Sequence, residues 1–331
     1  MTVTIRDVAR LAGVSASSVC RALATPDKVR AATRDRVQQA AAQLGYHPNR
    51  VARGLSTGRT GNLGLVVPDI ANPFFSGVVK AVQNRAHECD FSVLPADTDE
   101  DVATEIELIH TLTKQVDGFL LCAPRAGDED LRSVSGDIPV VMLNRRVGRI
   151  PSVIFDNADG VRQVITHLVA LRHRRIAYVA GPKTSWVNHE RARALRTLTA
   201  SMGLELVEAG NVSPTYVGGV AVADVLLAAS VTAVIAYNDM IALGLISQIT
   251  ARGVRVPQDI SVVGFDDIPT ADLVNPPLTT VSQPKERFGR TAVDLLVDVL
   301  GDRERPGSSR RAAPMQLVVR KTTAPNPKEF S

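Results

Sequence analysis

The sequence lacks several features that would assign it to other classes of protein. Its three cysteines, Cys20, Cys89 and Cys122, lie far apart and form no CxxC pair, so neither a disulfide framework nor a cysteine metal site is predicted. Isolated cysteines are typical of a reducing cytoplasm. No apolar run is long enough for a membrane span, and no apolar signal segment follows Met1. We therefore expect neither export nor membrane insertion.

Motifs of nucleotide-binding and catalytic proteins are also missing. No GxGxxG segment follows a predicted strand, and Gly181-Pro182-Lys183-Thr184 lacks the glycines of a phosphate-binding loop. The histidines and cysteines follow no metal-ligand spacing. The neighbouring aspartates at 266 and 267 point in different directions, and no nucleophile–base pair accompanies them. The sequence thus predicts no cofactor, no metal and no enzymatic activity.

Charge is distributed unevenly along the chain. Residues 1–60 hold ten Lys or Arg against three Asp, about +7, whereas the remainder holds 28 basic and 31 acidic residues, or −3. The overall charge of +4 therefore conceals a strongly basic amino-terminal segment on a mildly acidic body. Because apolar residues recur at helical spacing among these basic residues, the pattern favours a folded DNA-binding module over a disordered tail or a solvated charged face.

Two short helices joined by a glycine turn are predicted at the start of the chain. Apolar residues at helical spacing follow Thr4, which can form a capping-box-like start with Asp7. Gly13 supplies the turn, and Ser15 can cap a second helix that runs to about Leu23. This arrangement is typical of a helix-turn-helix, although an ordinary αα-hairpin is the alternative for this segment alone.

The second predicted helix carries side chains suited to the major groove. Arg21, one turn along it, can donate two hydrogen bonds to a guanine edge. Four small residues would let the start of the helix enter the groove: Ser15, Ala16, Ser17 and Ser18. A third helix is predicted from Ala31 to Leu44, ending at Gly45. The following segment, residues 51–55, would be a marginal helix in water.

These segments resemble the lac repressor/galactose repressor (LacI/GalR) family of bacterial transcription regulators. The matching strings are TIRDVARLAGVSASSVCRALA (4–24), TRDRV (33–37) and LGYHPNRVARGLSTGRTGNLGLVVPDIANPFF (44–75). The resemblance implies a helix-turn-helix headpiece over 1–48 and a hinge helix and linker over 49–60 that folds only on operator DNA, where Leu55 wedges into the minor groove. The implied DNA-binding residues are Thr4, Ser15, Ala16, Ser17, Ser18, Arg21, Tyr46, Asn49, Arg50, Ala52 and Leu55.

The chain departs from the family pattern at several positions. Cys20 stands where serine is usual, Ala24 where asparagine is usual, and Arg30 where a serine caps the third helix. Loss of that cap would cost roughly 1 kcal/mol if nothing replaced it. In the body, Arg172 replaces a helix-ending glycine and Pro214 replaces an aromatic residue. The last departure would move any ligand-stacking platform to the tryptophan at 186 or the tyrosine at 216.

The body alternates short β-branched apolar runs with helical stretches, which predicts buried parallel strands with helical crossovers. About 270 residues suit two such sheets rather than one. The family resemblance implies two Rossmann-like parallel-sheet subdomains of periplasmic-binding-protein type within an effector-binding and dimerisation domain over 61–331. The N-subdomain is expected at about 61–156 and 285–313, and the C-subdomain at about 157–283 and 315–325. The predicted strands are Leu63–Val67, Phe91–Leu94, Gly118–Cys122, Val140–Leu143, Val153–Phe155, Ile176–Val179, Ala233–Ala236 and Val262–Phe265.

Polar residues that follow these strands are the candidates for a ligand site, because ligands of open parallel sheets lie beyond the carboxyl ends of the strands. For any single Asp or Asn, a turn or cap role is the alternative reading. Converging carboxylate, guanidinium and amide groups would suit the adjacent hydroxyls of a polyol. The effector site implied by the resemblance comprises Phe74, Asn144, Trp186, Arg191, Asn238, Asp266 and Gln283, with Phe74 and Trp186 as apolar walls.

The expected function is that of a cytoplasmic, nucleoid-associated transcription regulator that binds a palindromic operator as a homodimer or tetramer. We expect a repressor of a carbohydrate-utilisation operon that a sugar-type inducer releases by acting through the hinge. Two alternatives stay open. One is a corepressor-dependent regulator with a purine or phosphoprotein effector, and the other is a stand-alone cytoplasmic small-molecule-binding protein.

Overall fold

The computed structural model describes residues 3–24, 29–46, 59–301, 309–311 and 314–327. The chain forms two compact units, one comprising residues 1–61 with 115–117 and the other comprising residues 62–114 with 118–331. The predicted fold class, a helical headpiece with an α/β body of two parallel sheets, is confirmed.

The described part of the first unit contains three helices, α1 (Ile5–Ala12), α2 (Ala16–Ala24) and α3 (Ala31–Leu44). They enclose a small core in which Val8, Val19 and Val37 are fully buried. The third helix has the predicted bounds, and it ends at Gly45 with φ 61°. The predicted glycine turn after α1 is also confirmed, since Gly13 has φ 62°.

Within the residues that the structure describes, the second unit contains two six-stranded sheets. The first sheet has the order β11-β5-β4-β3-β1-β2, and all of its pairings are parallel. Its strands are β1 (Asn62–Val67), β2 (Ser92–Asp97), β3 (Gly118–Cys122), β4 (Val140–Leu143), β5 (Ser152–Ile154) and β11 (Ser309–Arg311).

The second sheet has the order β12-β10-β9-β8-β6-β7, and β12 pairs antiparallel at its edge. Its strands are β6 (Arg175–Ala180), β7 (Glu205–Asn211), β8 (Ala233–Ala236), β9 (Ser261–Asp266), β10 (Thr279–Ser282) and β12 (Gln316–Val318). All eight predicted strands are present, three with the predicted bounds and five with shifts at their ends, whereas β7, β10, β11 and β12 were not predicted.

The helices of the body cover the two sheets and bury one continuous apolar core. The chain passes from the first sheet to the second after β5, returns after β10, and crosses again between β11 and β12. The helices are α4 (Pro73–Glu88), α5 (Val102–Leu112), α6 (Asp128–Asp137), α7 (Asn157–Ala170), α8 (Trp186–Ser201), α9 (Tyr216–Ala221), α10 (Ala223–Ala228), α11 (Asp239–Ala251), α12 (Pro269–Leu273) and α13 (Lys285–Leu300). Among the described residues, no helix has both the length and the apolar character needed to cross a bilayer.

Candidate DNA-binding surface and ligand pocket

The start of α2 is organised by the hydroxyl of Ser15. This oxygen accepts a hydrogen bond from the backbone N–H of Ser18 at 3.2 Å and lies 2.8 Å from the hydroxyl of Ser17. Ser17 and Arg21 are exposed, whereas Ala16 is half-buried and packs against the headpiece core. The helix therefore presents Ser17 and Arg21 to solvent, while Ser15 also has the structural role of a cap.

The remaining headpiece candidates lie at the ends of the other helices. The backbone N–H and hydroxyl of Thr4 both donate to the Asp7 carboxylate, at 3.0 and 2.7 Å. Tyr46 is half-buried and packs against the same small core. Arg30 precedes α3 without a side-chain cap hydrogen bond, as its departure from the family pattern predicts. The other DNA-binding candidates, Asn49, Arg50, Ala52 and Leu55, lie outside the described residues.

In the body, a pocket lies where the carboxyl ends of the two sets of strands meet. Nearly every strand that ends there is followed by a residue of the lining, as expected for open parallel sheets. The lining comprises Asn72, Phe74, Phe75, Glu100, Ala123, Arg125 and Asn144 from the first sheet's side, and Val187, Arg191, Pro214, Tyr237, Asn238 and Asp266 from the second.

Strained backbone conformations are concentrated in this pocket. Nine non-glycine residues in the described ranges have a positive φ, and four of them line the pocket: Glu100 (62°), Ala123 (46°), Asn144 (57°) and Asp266 (109°). Such conformations cost of order 1–3 kcal/mol each and persist where the surroundings enforce them, often at ligand sites. Their concentration here makes the pocket the candidate functional site of the body.

Arg191 is a buried charged residue of the pocket, with 1% exposure. Its Nε donates to Asn157 Oδ1 at 3.0 Å, its Nη1 donates to the carbonyl of Tyr237, and its guanidinium lies 4.0 Å from the ring centroid of Phe265. These contacts fix the guanidinium plane and leave three N–H donors for other partners.

Asp266 provides a buried carboxylate in the same pocket. Its Oδ1 accepts a hydrogen bond from Gln283 Nε2 at 2.7 Å, and Lys285 Nζ donates to its backbone carbonyl at 2.8 Å. Burial raises the pKa of Asp266 to about 6, although Arg191, Lys285 and Gln283 oppose this rise. Burial also raises the pKa of the neighbouring Asp239, and the charge of Asp266 raises it further.

The two asparagines of the pocket differ in their hydrogen bonding. Asn144 is buried, and its Oδ1 has no hydrogen-bond partner in the described structure. Asn238 caps α11, because its Oδ1 accepts from the N–H of Ile241 at 2.9 Å while its Nδ2 donates to the Pro214 carbonyl at 2.8 Å. The cap role considered for single asparagines therefore applies to Asn238, whereas Asn144 offers an unused acceptor.

The structure brings five of the seven predicted effector residues into the lining of this pocket. Gln283 lies behind Asp266 as its hydrogen-bond donor. Trp186 does not line the pocket; it is half-buried against the core, and the next residue, Val187, lies in the lining instead. Phe74 lines the pocket as predicted, with its ring edge-on to Phe75 at 5.2 Å between centroids.

Sequence reasoning missed the pair formed by Arg125 and Glu100. Arg125 Nε and Nη2 donate to the two carboxylate oxygens of Glu100 at 2.5 and 2.8 Å, and the Arg125 side chain is buried. Both residues line the pocket. Arg125 lies three residues after β3, and ligands of open parallel sheets lie beyond the carboxyl ends of the strands, so its position in the sequence could have identified it.

Comparisons with known proteins agree with this architecture. Residues 4–49 match the family described as bacterial regulatory proteins, lacI family, and residues 165–323 match the periplasmic binding protein-like domain. The chain is 34% identical to the HTH-type transcriptional repressor CytR of Escherichia coli (strain K12), over 97% of this chain and 96% of the relative. These similarities and the fold define a DNA-binding transcription regulator with a ligand-responsive body.

Two solved structures extend the comparison. The lac repressor dimer bound to operator and the anti-inducer ONPF is 32% identical, with a TM-score of 0.84 and coverage of 98% of this chain and 100% of that chain. A complex of the transcriptional regulator CelR with cellobiose is 33% identical, with a TM-score of 0.73 and coverage of 97% and 99%. The chain belongs to the LacI family of ligand-responsive transcriptional repressors.

Proposed function

We propose that this chain represses a carbohydrate-utilisation operon and that a sugar in the pocket releases it from DNA. The observation that carries this proposal is the buried set of Arg191, Asp266 and Asn144, which combines guanidinium donors, a carboxylate acceptor and an unused amide oxygen. Neighbouring hydroxyl groups can donate to and accept from such groups at the same time.

The pocket lining supports a sugar over a purine effector. A planar base requires an aromatic platform. The aromatic rings of the lining are those of Phe74, Phe75 and Tyr237, with Pro214 on one side, and the Arg191 guanidinium lies 5.4 Å from the centroid of the Tyr237 ring. The ring of Phe74 makes edge-to-face contacts with Phe75 and Phe155. The similar CelR was solved with cellobiose, which also supports a carbohydrate.

Calorimetry with a defined panel tests the effector class. We expect the wild type to bind at least one of glucose, galactose, ribose and cellobiose, and to bind neither adenine nor guanine. Arg191→Ala and Asp266→Ala should abolish this binding, because truncating one partner of a buried charged network costs several kcal/mol. Operator binding without effector should change little in both variants. Binding of a nucleobase but of no sugar would contradict the proposal and favour a purine corepressor.

We propose that residues 1–48 read operator DNA, residues 49–60 form the hinge and residues 61–331 bind effector and dimerise. Arg21 and the pair Ala16–Ser17 would supply base specificity, while Tyr46, Asn49 and Arg50 would position the backbone. Arg21→Ala should weaken the cognate site by about 1–3 kcal/mol and relax the preference at one base per half-site. Equal weakening on all sequences in a binding-site selection would instead identify Arg21 as a phosphate contact.

Leu55 would couple the hinge to the DNA as an apolar wedge. Leu55→Ala should leave the headpiece folded but reduce operator bending and affinity, because the wedge that stabilises the kink is lost. Circular-permutation gel shifts measure the bend, and an unchanged angle would contradict this role. Since binding free energies are linked, operator DNA must weaken inducer binding by the same factor by which inducer weakens operator binding.

An apolar groove on the body supports assembly as a homodimer. Tyr216, Leu243 and Val274 line this groove, and the adjacent Leu273 is 80% exposed. We propose that a second copy covers it, since the similar lac repressor was solved as a dimer. Sedimentation should show a dimer or tetramer that Leu273→Asp shifts toward monomer. Met202→Asp should have no effect, because Met202 is exposed outside this groove.

Because operator DNA is the partner, the protein would act in the cytoplasm with the nucleoid.

A further inference from the structure

We propose that the Glu100–Arg125 ion pair determines the charge of the effector: it selects uncharged sugars and excludes their phosphorylated or acidic counterparts. This inference rests on the proposed sugar function of the same pocket. Neither residue belongs to the set that the sequence implied, and both lie in the pocket lining.

The geometry of the pair leaves Arg125 partly available to a ligand. Its Nε and Nη2 donate to Glu100, and its Nη1 donates to the carbonyl of Ala123 at 2.7 Å. These three bonds use three of the five N–H donors of the guanidinium. One N–H therefore remains on each terminal nitrogen for hydroxyl oxygens in the pocket that Arg125 lines.

The backbone holds the pair in place. Glu100 has φ 62°, a left-handed conformation that is unfavourable for glutamate, and its N–H donates to the Pro68 carbonyl at 2.7 Å. The N–H of Arg125 donates to the buried carboxylate of Glu105 at 2.8 Å, and the N–H of Ala126 donates to it at 3.1 Å. The guanidinium and its carboxylate partner are therefore fixed before a ligand arrives, which is how binding sites gain selectivity.

The charges of the lining balance without a ligand. Glu100 neutralises Arg125 directly, and Asp266 is the buried carboxylate that faces the charge of Arg191. Outside the lining, Asp69 adds a carboxylate near Glu100, and Lys285 adds a positive charge beside Asp266, so these two neighbours also balance. An anionic ligand would bring a further negative charge that no unpaired arginine of the lining compensates, and an uncompensated charge of this kind disfavours the wrong ligand.

Glu100→Gln tests this role because it removes the negative charge and keeps the shape. The probes are glucose with glucose 6-phosphate, ribose with ribose 5-phosphate, and cellobiose. The wild type should bind a neutral sugar at least tenfold more tightly than its phosphate. In Glu100→Gln the ratio of the affinity for the neutral sugar to the affinity for its phosphate should fall by about tenfold or more, because the negative charge of Glu100 no longer repels the phosphate.

Two further variants separate charge from packing. Glu208→Gln is the matched control, because Glu208 accepts two bonds of 2.7 Å from Arg196 on the exposed side of the second sheet. It should leave the ratio unchanged. Arg125→Lys keeps the positive charge but loses the planar donor fork, so it should weaken neutral sugars by about tenfold without changing the ratio.

The outcomes distinguish this inference from the proposed function. The inference is overturned if the wild type binds a sugar phosphate more tightly than the neutral sugar. It is also overturned if Glu100→Gln, shown to be folded by its thermal transition, keeps the wild-type ratio of the two affinities, as Glu208→Gln should. In both cases a sugar effector would still stand. Binding of adenine or guanine with no binding of any sugar probe would overturn both.

Discussion

Replacing Arg191 by methionine should destabilise the body in a pH-dependent manner. The side chain is 1% exposed and donates to Asn157 and to the carbonyl of Tyr237. Its positive charge also opposes the effect of burial on the pKa of Asp266. Methionine fills similar space but has neither the donors nor the charge, so the buried carbonyl and carboxylate both lose a partner.

Two contributions to the destabilisation can be separated. The unpaired acceptors should cost about 1–3 kcal/mol at any pH. The carboxylate contribution depends on protonation, because the folded pKa of Asp266 is about 6 in the wild type and rises further without the guanidinium. Each unit by which the folded pKa rises in the variant adds about 1.4 kcal/mol to the cost at a pH above both values, so a rise of about 1.5 units would add roughly 2 kcal/mol at about pH 7.5.

The sign of the pH dependence follows from the raised pKa. The pKa of Asp266 is higher in the folded protein than the ordinary 3.8. The folded state therefore binds this proton more tightly, and stability falls as pH rises from about 4 toward 6. In the variant this fall continues above pH 6. The difference between wild type and variant should be about 1–3 kcal/mol at pH 5 and about 3–5 kcal/mol at pH 7.5.

Urea denaturation followed by the fluorescence of the single tryptophan, Trp186, measures this difference in the body. Arg193→Met is the control, since Arg193 lies on the same helix with its side chain 73% exposed; it should cost under about 0.5 kcal/mol. When Asp266→Asn is added to both the wild type and Arg191→Met, the difference in their free energies of unfolding should no longer depend on pH. An equal destabilisation by Arg191→Met at pH 5 and 7.5 would refute the coupling between the two charges.

Three further predictions concern single positions. Ser15→Ala should lower the stability of the headpiece by about 1 kcal/mol, because the cap of α2 is lost; an unchanged thermal transition by circular dichroism would contradict it. Arg172→Gly should stabilise the body by about 0.5–1 kcal/mol, because the left-handed φ of 64° suits glycine; a lower urea midpoint would count against this. Sugar affinity should fall by about tenfold per pH unit below 6, as Asp266 becomes protonated and stops accepting hydroxyl donors; calorimetry in which Asp266→Asn shows the same pH slope would exclude this cause.

The elements predicted most accurately are those whose sequence carries a single dominant signal. β3, β4 and β8 have the predicted bounds because each is a continuous apolar run that is buried throughout. β7 (Glu205–Asn211) was missed because it is a largely exposed edge strand with charged residues. β10 (Thr279–Ser282) was missed for a different reason, since its threonines are buried only through tertiary contacts.

The pocket could be predicted only in part from the sequence. The strand-end rule identified Asn144 and Asp266, because strand ends are visible in the apolar pattern. Trp186, predicted as an apolar wall, does not line this pocket: one residue along a helix rotates a side chain by about 100°, and Val187 lies in the lining instead. Glu100 was missed because a left-handed turn after β2 directs it into the lining, and the sequence gives no sign of this conformation.

The buried polar atoms without partners indicate how a small ligand could favour one orientation of the two sheets over another. In the described structure they include Asn144 Oδ1, Asn157 Nδ2 and Gln283 Oε1. Asn157 and Gln283 lie where the chain crosses between the two sheets. Each such atom costs about 1–3 kcal/mol, and allosteric coupling free energies have the same size. A ligand that satisfies even one of them in only one orientation of the sheets would therefore favour that orientation enough to change operator affinity by about 5- to 150-fold.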